Sequence, residues 1–277
     1  NGRGERLVVG LLEERGGDIL FEYDKRFLDS GIELSPFLLP LRPGVASDPK
    51  RTFDGLFGVF NDSLPDGWGL LLLDRLLRRS GLPLERITPL SRLSLVGSGG
   101  MGALEYEPVT PDPDPLPERI DLDGVAEEAW RTLNEDPLPV ETLRTLMALN
   151  GSSCGARPKI MVRVSGDRRL IVPDAVAEPG CDPWLIKFPA RHDDPAIGRM
   201  EYACSLAAKR AGIEMPETAL FPGRDGAAYF GVRRFDREDG GKVHVHTACG
   251  LLHASHRYAS LDYENLFRLG KSLRSEE

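Results

Sequence analysis

The sequence predicts an α+β protein, with a mixed N-terminal region followed by a region built mainly from strands. Hydrophobic residues make up 41% and charged residues 28% of the 277 positions, as in globular domains rather than disordered or membrane-spanning chains. Extended and helical patterns alternate up to about residue 110. After a proline-rich stretch, extended patterns predominate around one prominent helix. A chain of this length buries about 75% of its unfolded surface, so it needs neither disulfides nor a metal to fold.

The N-terminal region is predicted to open with a β-hairpin. Residues 7–12 are apolar, Gly16 and Gly17 suit a tight turn, and an extended pattern resumes over 19–23. These three features in succession are typical of two antiparallel strands joined by a short turn.

A helix is predicted next, because apolar residues recur at helical spacing through 68–79. Either Asp62 or Ser63 is expected to cap its N-terminus, with Pro65 in the first turn and Gly81 beyond its end. The cap residue and the proline together set where this helix should begin.

The proline-rich stretch 108–117 is predicted to be a connection, since proline lacks an amide donor and restricts φ. Beyond it, the pattern of apolar residues predicts helices at 121–135, 140–150, 196–211 and 262–274, and strands at 159–164, 169–172, 184–188, 218–221 and 227–235. The second region is therefore expected to be a sheet with one helix inserted between its strands.

Charge and cysteine content restrict the functional class. The net charge of −8 argues against a broad nucleic-acid-binding surface, and Arg75, Arg78 and Arg79 are expected to form one solvated helix face. The four cysteines are far apart, without a C-x-x-C pair, which indicates a reducing, cytoplasmic setting. No apolar run is long enough to cross a bilayer, so no membrane association is expected.

Two glycine-containing segments are candidate ligand loops. Residues 97–102 match G-x-G-x-x-G, but a dinucleotide fingerprint must open a helix, and 103–106 is predicted to be a strand. A glycine loop leading into a strand is therefore preferred over dinucleotide binding. Residues 151–159 (GSSCGARPK) are not a Walker A motif; they suit either a phosphate-covering loop or a plain helix-to-strand connection.

A lysine and a glutamate in the second region suggest a nucleotide site. Lys187 ends a predicted strand after three apolar residues, so it needs either a phosphate or a carboxylate partner, unless it simply extends into solvent. Glu201 on the following helix is the candidate carboxylate. This order matches the ion pair with which protein kinases place ATP phosphates, and residues 232–237 then fall where the adenine-binding hinge lies.

Four histidines lie within thirteen residues of one another near the end of the chain: His244, His246, His253 and His256. No cysteine or carboxylate completes a familiar zinc spacing, so no metal site is predicted. Cys249 has no evident base partner and is expected to serve packing.

The order of these features resembles the HipA family, the serine/threonine-kinase toxins of bacterial type II toxin–antitoxin modules. Residues 57–69 (FGVFNDSLPDGWG) look like the family's F-x-D-S-L-P-D-x-W stretch, and 95–106 resemble its V-G-x-x-x-x-G-A-L segment. Residues 184–189 resemble the family's lysine strand, and 201–203 resemble the helix after it. Residues 232–237 resemble its hinge, and 253–263 resemble its activation-segment region. The resemblance covers nearly the whole chain.

The resemblance implies a HipA-like protein-kinase fold with a family N-terminal subdomain at 1–110 and a proline-rich linker at 111–117. A mostly β, kinase N-lobe-like nucleotide-binding region would occupy 118–261. Residues 262–277 would begin a helical C-lobe that is largely missing from this sequence.

The resemblance also implies ATP and Mg²⁺ as cofactors. The implied ATP-binding residues are Ser152, Ser153, Cys154, Gly155, Ala156, Arg157, Lys159, Lys187, Glu201, Arg233, Arg234, Phe235 and Asp236. In the family a serine of the glycine loop is autophosphorylated, which ejects the loop. Ser152 is the best positional match and Ser153 the runner-up. A phosphate there would repel the phosphates of ATP.

The implied partners are a HipB-like helix-turn-helix antitoxin and a protein substrate such as an aminoacyl-tRNA synthetase. DNA would be contacted only through the antitoxin.

Two departures from the family pattern matter. Arg157 and Pro158 stand where the family commonly has Gln-Glu or Gln-Pro, although Arg157 could still reach a phosphate. No catalytic-loop motif occurs in the last forty residues, so the catalytic aspartate and the metal ligands are expected beyond Glu277, and this chain alone is not expected to transfer phosphate. The alternative is a non-catalytic HipA-like protein that holds nucleotide or an antitoxin.

Overall fold

The computed structural model describes residues 6–81, 87–109, 115–255 and 258–274. Its helices and strands, in chain order, are β1 (Gly10–Arg15), β2 (Asp18–Tyr23), α1 (Lys25–Ser30), β3 (Val45–Ser47), α2 (Gly58–Asn61), α3 (Gly67–Arg79), α4 (Pro89–Val96), α5 (Leu122–Leu133), α6 (Val140–Asn150), β4 (Lys159–Ser165), β5 (Ile171–Pro173), β6 (Cys181–Lys187), α7 (Ile197–Arg210), β7 (Thr218–Pro222), β8 (Ala228–Arg233), β9 (Arg237–Glu238), β10 (Gly241–Lys242), α8 (Ala248–Leu252) and α9 (Tyr263–Arg274). Antiparallel sheets and helices occur together, which is consistent with the α+β class.

The chain divides into two compact units. The first comprises residues 1–64, 88–93 and 244–277, and the second comprises 65–87 and 94–243. The boundaries expected from the sequence, at 110, 117 and 261, stay a prediction, and most of the linker 111–117 lies outside the described residues. Within the ranges that the structure describes, no helix combines the length and the apolar character that crossing a membrane requires.

The first unit opens with an antiparallel meander of β1, β2 and β3. The predicted hairpin is confirmed, although β1 begins at Gly10 rather than at residue 7, and its register pairs Gly10 with Tyr23 and Arg15 with Asp18. Gly16 and Gly17 both have positive φ (62° and 87°), the left-handed backbone that a two-residue hairpin turn requires.

Aromatic side chains form much of the core of the first unit. The Phe21 ring lies 4.7 Å from that of Tyr23 and 4.9 Å from that of Phe60, centroid to centroid. Helix α8 packs against α2 so closely that a Cβ on Gly58 would collide with the carbonyl oxygen of Gly250. The histidine-rich segment therefore belongs to the same unit as the N-terminal meander.

The second unit is built on a five-stranded sheet in the order β5-β4-β6-β8-β7, antiparallel throughout. One face of the sheet is apolar and packs against α3, α5 and α6. That cluster includes Trp68, Leu146, Ile160, Trp184 and Ile186. Burial of these large side chains supplies the main stabilisation of this unit.

The opposite face of the sheet carries charged side chains. Lys159 lies directly across from Lys187, and Lys187 lies across from Phe230. Directly paired residues of antiparallel strands project from the same face. Helix α7 lies on this face too. Its Ser205 hydroxyl is 2.9 Å from the Thr218 hydroxyl of β7. Thr218 projects from the same face of β7 as Leu220, the residue that pairs with Phe230.

The predicted cap of α3 is wrong. The helix begins at Gly67 with Asp66 as its N-cap residue, and the segment around Asp62 forms the separate short helix α2. The Asp62 carboxylate instead accepts hydrogen bonds from the backbone amide and the hydroxyl of Thr247, at 2.7 and 2.8 Å. A tertiary partner thus takes the carboxylate that the local pattern assigned to the helix.

The strand predicted at 103–106 is wrong as well. The Tyr106 amide donates to the carbonyl of Gly97 (3.1 Å), which closes 97–106 into a loop rather than extending it. Glu105 forms an ion pair with Lys242 at 2.7 Å, so the segment is held by β10 through a side chain and not by a strand ladder. The glycine motif therefore neither opens a helix nor leads into a strand.

Candidate functional site

The 151–159 loop connects α6 to β4 and depends on two glycines with left-handed backbone. Gly151 has φ 56° and Gly155 has φ 112°. A Cβ on Gly151 would overlap the Met161 side chain and the Gly99 carbonyl, and one on Gly155 would lie 2.8 Å from the Lys159 Nζ. Both positions therefore require glycine, for conformation and for close approach.

Both serines of the 151–159 loop are buried. Ser152 is 0% exposed, and its Oγ accepts a hydrogen bond from the Met101 amide at 2.9 Å. Ser153 donates to the Oδ1 of Asn150 at 2.9 Å, and Asn150 is itself fully buried. Neither hydroxyl can meet a reacting phosphate unless the loop first moves away.

The N-terminus of α3 holds the 151–159 loop at Gly155. The Asp66 carboxylate accepts the Gly155 amide (2.5 Å), while the Trp68 amide donates to the Gly155 carbonyl (3.0 Å). Gly67, with φ 40°, permits this approach, since a Cβ there would lie 2.7 Å from the Gly155 backbone. Gly69 similarly leaves room for Asn150.

The 97–102 segment contacts both the loop and the predicted hinge. Consecutive amides of this segment donate to two different elements: Met101 to Ser152, and Gly102 to the Oδ2 of Asp236 at 2.8 Å. The Arg237 guanidinium donates to the carbonyls of Gly100 (3.0 Å) and Gly102 (3.3 Å). The motif that matched a dinucleotide fingerprint thus serves here as a structural connection.

Two lysines and a glutamate gather on the charged face of the sheet. The Lys187 Nζ lies 3.3 Å from the Oε1 of Glu201 and 5.5 Å from the centre of the Phe230 ring. The Lys159 Nζ donates to the carbonyls of Cys154 and Gly155, at 2.8 and 2.9 Å. The charges of Glu201 and Asp66 offset part of this positive charge. The Lys187 side chain is still 31% exposed, so its ammonium can meet an anionic ligand.

Burial lowers the pKa of Lys159 to about 8, with the charge of Lys187 acting in the same direction and that of Asp66 opposing it. A group with this pKa is still mainly cationic at neutral pH. An added anion beside it would raise this pKa back towards its ordinary value.

Arg157 is held at the surface by carboxylates. Its guanidinium forms a two-bond pair with Asp193 at 2.8 and 2.9 Å, and it lies 3.8 Å from Glu201. The hydrogen bonds to Asp193 raise the pKa of Arg157. Arg157 therefore lies near Glu201, the glutamate that also pairs with Lys187. Within the same loop, Cys154 and Ala156 are exposed.

The predicted hinge residues divide into exposed and buried sets. Arg233 pairs with Asp182 at the surface, and the Phe235 side chain is 62% exposed. Arg234 and Asp236 are buried: Arg234 pairs with Asp236 and with Asp174, in each case at 2.7 Å. Arg234 thus joins two carboxylates inside the unit, whereas the side chains of Arg233 and Phe235 lie at its surface.

The histidines of the first unit hold its segments together. His246 contacts Asp62 at 2.6 Å and Ser35 at 3.0 Å, and the His253 Nε2 accepts the Gly58 amide at 2.9 Å. The His244 Nε2 lies 3.0 Å from the Leu34 carbonyl.

The histidine-rich segment has no metal-binding cluster among the described residues, and its cysteine is not activated. Among the residues described, no three His, Cys, Asp or Glu side chains gather in a way that could hold a metal ion. His256 lies outside the described residues. Burial raises the pKa of the Cys249 thiol, which does not favour its reactive thiolate form.

Comparison with known proteins identifies the family. Residues 4–107 match the HipA N-terminal domain, and residues 151–277 match the HipA-like C-terminal domain. The chain belongs to the HipA family. No curated protein matches it. The resemblance inferred from the motifs is thereby confirmed, and HipA proteins are in general serine/threonine-kinase toxins that act together with a HipB-type antitoxin.

In this HipA-family chain, several residues around the loop escaped the sequence analysis: Asp66, Trp68, Met101, Asn150 and Asp193. The first two belong to the D-G-W-G motif, whose paired glycines indicate a close backbone approach but not its target. Met101 acts only through its backbone amide, which the identity of a side chain cannot reveal. The ATP-binding roles of the residues assigned above stay a prediction.

Proposed function

We propose that this protein is a serine/threonine-protein kinase of the HipA toxin type, with ATP bound on the charged face of the five-stranded sheet. The observation that carries the proposal is the Lys187–Glu201 ion pair, which lies next to the buried Lys159 at the end of the 151–159 loop. A lysine of one strand paired with a glutamate of the adjacent helix is the arrangement with which protein kinases hold phosphates.

Each residue of the site has a definable task in this proposal. Glu201 orients Lys187, whose ammonium would bind the α/β-phosphates. Lys159, partly desolvated, would add a second positive charge. Backbone amides of the loop would donate to phosphate oxygens, and the backbone near Phe235 would bind adenine. When bound, ATP supplies the phosphoryl group for a serine or threonine hydroxyl.

The metal requirement is a separate matter. Mg²⁺ accompanies ATP in this chemistry, but the side chains of the described ranges form no cluster able to bind a metal.

Ser152 is the proposed site of autophosphorylation, with Ser153 as the runner-up. A phosphate carries nearly two negative charges, and the buried pocket of Ser152 offers one amide donor, from Met101. Modification would therefore hold the 151–159 loop outside its present position and switch the kinase off. Proposed partners are a helix-turn-helix antitoxin and a translation-related protein substrate, in the cytoplasm.

The test is ATP binding and phosphate transfer by the natural protein, compared with its Lys187→Ala variant. We expect the substitution to weaken ATP binding roughly tenfold or more, since hydrogen bonds to charged groups are the stronger ones, and to abolish phosphate transfer. The exposed Lys25→Ala variant is the matched control. Transfer that persists in Lys187→Ala would remove the lysine assignment. Binding of nucleotide or antitoxin by the natural protein without any transfer would favour the non-catalytic alternative.

A further inference from the structure

The N-terminus of α3 exchanges hydrogen bonds with the 151–159 loop instead of capping itself. Asp66 occupies the N-cap position, where an aspartate ordinarily accepts an amide of its own helix. Here its side chain makes no such capping bond, and its carboxylate accepts the Gly155 amide. In return, the Trp68 amide, one of the donors that a helix start leaves without a helical partner, binds the Gly155 carbonyl.

The surrounding residues are arranged for this exchange. Gly67 and Gly69 lack the side chains that would collide with the Gly155 backbone and with Asn150, respectively. Asn150 donates to the Gly151 carbonyl and accepts from Ser153, so it holds the beginning of the same loop. Four consecutive residues, D-G-W-G, thus form the surface on which the loop rests.

We propose that Asp66 is a positioning residue for the 151–159 loop, and that residues 66–69 are the dock that keeps this loop over the lysine-bearing face. The expected effect of Asp66 on ATP binding rests on the proposed function, whereas its expected effect on the loop does not. Releasing Gly155 from the dock also loosens one of the two hydrogen bonds that hold the Lys159 ammonium, the bond to the Gly155 carbonyl; the other goes to the Cys154 carbonyl. Asp66 therefore influences the phosphate site without lying in it as a ligand.

Charge and position make different predictions for this residue. The negative charge of Asp66 repels bound phosphates but also favours the cationic form of Lys159, so an effect of charge alone would be the same in Asp66→Asn and Asp66→Ala. If Asp66 positions the loop, Asp66→Ala weakens ATP binding and Asp66→Asn does not. The Asp66→Asn variant separates the two effects, because its amide oxygen can still accept the Gly155 amide.

The experiment measures amide exchange of the 151–159 loop without nucleotide, together with ATP affinity, in four variants of the natural protein. In Asp66→Ala we expect exchange of the Gly155 amide to rise at least about tenfold and ATP affinity to fall by a similar factor. Asp66→Asn should stay within about threefold of the natural protein in both measurements. Asp74→Ala, which removes a partly exposed ion pair with Arg78 further along α3, should change neither.

Asp66→Ser guards against a variant that fails to fold. Serine is a favoured N-cap residue, so α3 keeps a cap while the loop loses its carboxylate acceptor. Exchange that stays unchanged in Asp66→Ala and Asp66→Ser, or ATP affinity that rises, would overturn the proposal. If the natural protein binds no ATP while loop exchange still rises in both variants, the dock stands and the proposed function falls.

Discussion

Replacing Asp236 by asparagine should destabilise the second unit by about 3 kcal/mol. The Asp236 carboxylate is completely buried and accepts from Arg234 and Arg237, each at 2.7 Å, and from the Gly102 amide at 2.8 Å. Asparagine keeps the shape but loses the charge, which leaves two buried guanidinium groups short of a counterion. Removing one partner of a buried pair costs about 3–5 kcal/mol. The low end applies because Asp174 still pairs with Arg234.

A matched surface pair provides the control. Arg233 and Asp182 are also 2.7 Å apart, but their side chains are 47% and 48% exposed. Exposed pairs contribute about 0–1 kcal/mol, so Asp182→Asn should be nearly neutral. The distance is the same in both pairs, so burial and the additional donors to Asp236, namely Arg237 and the Gly102 amide, separate the two predictions.

Urea unfolding followed by tryptophan fluorescence measures the difference, because all three tryptophans lie in the second unit. At about 2–4 °C per kcal/mol, the melting temperature of Asp236→Asn should also fall by roughly 6–12 °C. Burial alone would raise the pKa of Asp236, but the hydrogen bonds and charge of Arg234 hold it below its ordinary value. The stability that the carboxylate contributes is therefore present at neutral pH and declines in acid, as the pH approaches the folded-state pKa. Equal stability of Asp236→Asn and Asp182→Asn at pH 7 would refute the reasoning.

Two further predictions concern the first unit and the dock. Burial lowers the pKa of His253, with the charge of Asp48 partly opposing this shift. The Nε2 of His253 must stay unprotonated to accept the Gly58 amide. The stability of the first unit should therefore fall as the pH drops below about 6.5, the ordinary pKa of histidine. His253→Gln should flatten that dependence in thermal melts between pH 7.5 and 5.5, and an unchanged slope would contradict the assignment. Gly67→Ala should destabilise the second unit more than Gly81→Ala, because both have positive φ but only Gly67 faces a close backbone contact. Equal losses in urea unfolding would show that backbone strain accounts for the whole effect.

Periodicity predicted most of the second unit. Helix α6 and strand β4 begin where the sequence pattern places them, and the extended and helical stretches on either side of Lys187 and Glu201 became β6 and α7. These segments have an apolar stripe or alternation that only one type of element can bury, so local pattern and tertiary packing agree. Segments held by side chains and single amides carry no periodic pattern, and the strand predicted at 103–106 is wrong for this reason.

The order of motifs was sufficient to identify the family, and it singled out Lys187 and Glu201 as partners before any contact between them was known. What the sequence could not show is which groups meet the 151–159 loop. Asp62 and Asp66 are both plausible helix caps by local rules, yet one binds Thr247 and the other Gly155.

Composition, periodicity and motif order by themselves determined the α+β class, the family and the residues proposed for the phosphate site. The tertiary structure alone decided that both loop serines are buried, that Arg234 pairs with a buried Asp236, and that the D-G-W-G motif contacts Gly155. The physical reason is that a hydrogen bond between backbone amides and carboxylates depends on three-dimensional proximity, which residues distant in sequence acquire only when the chain has folded.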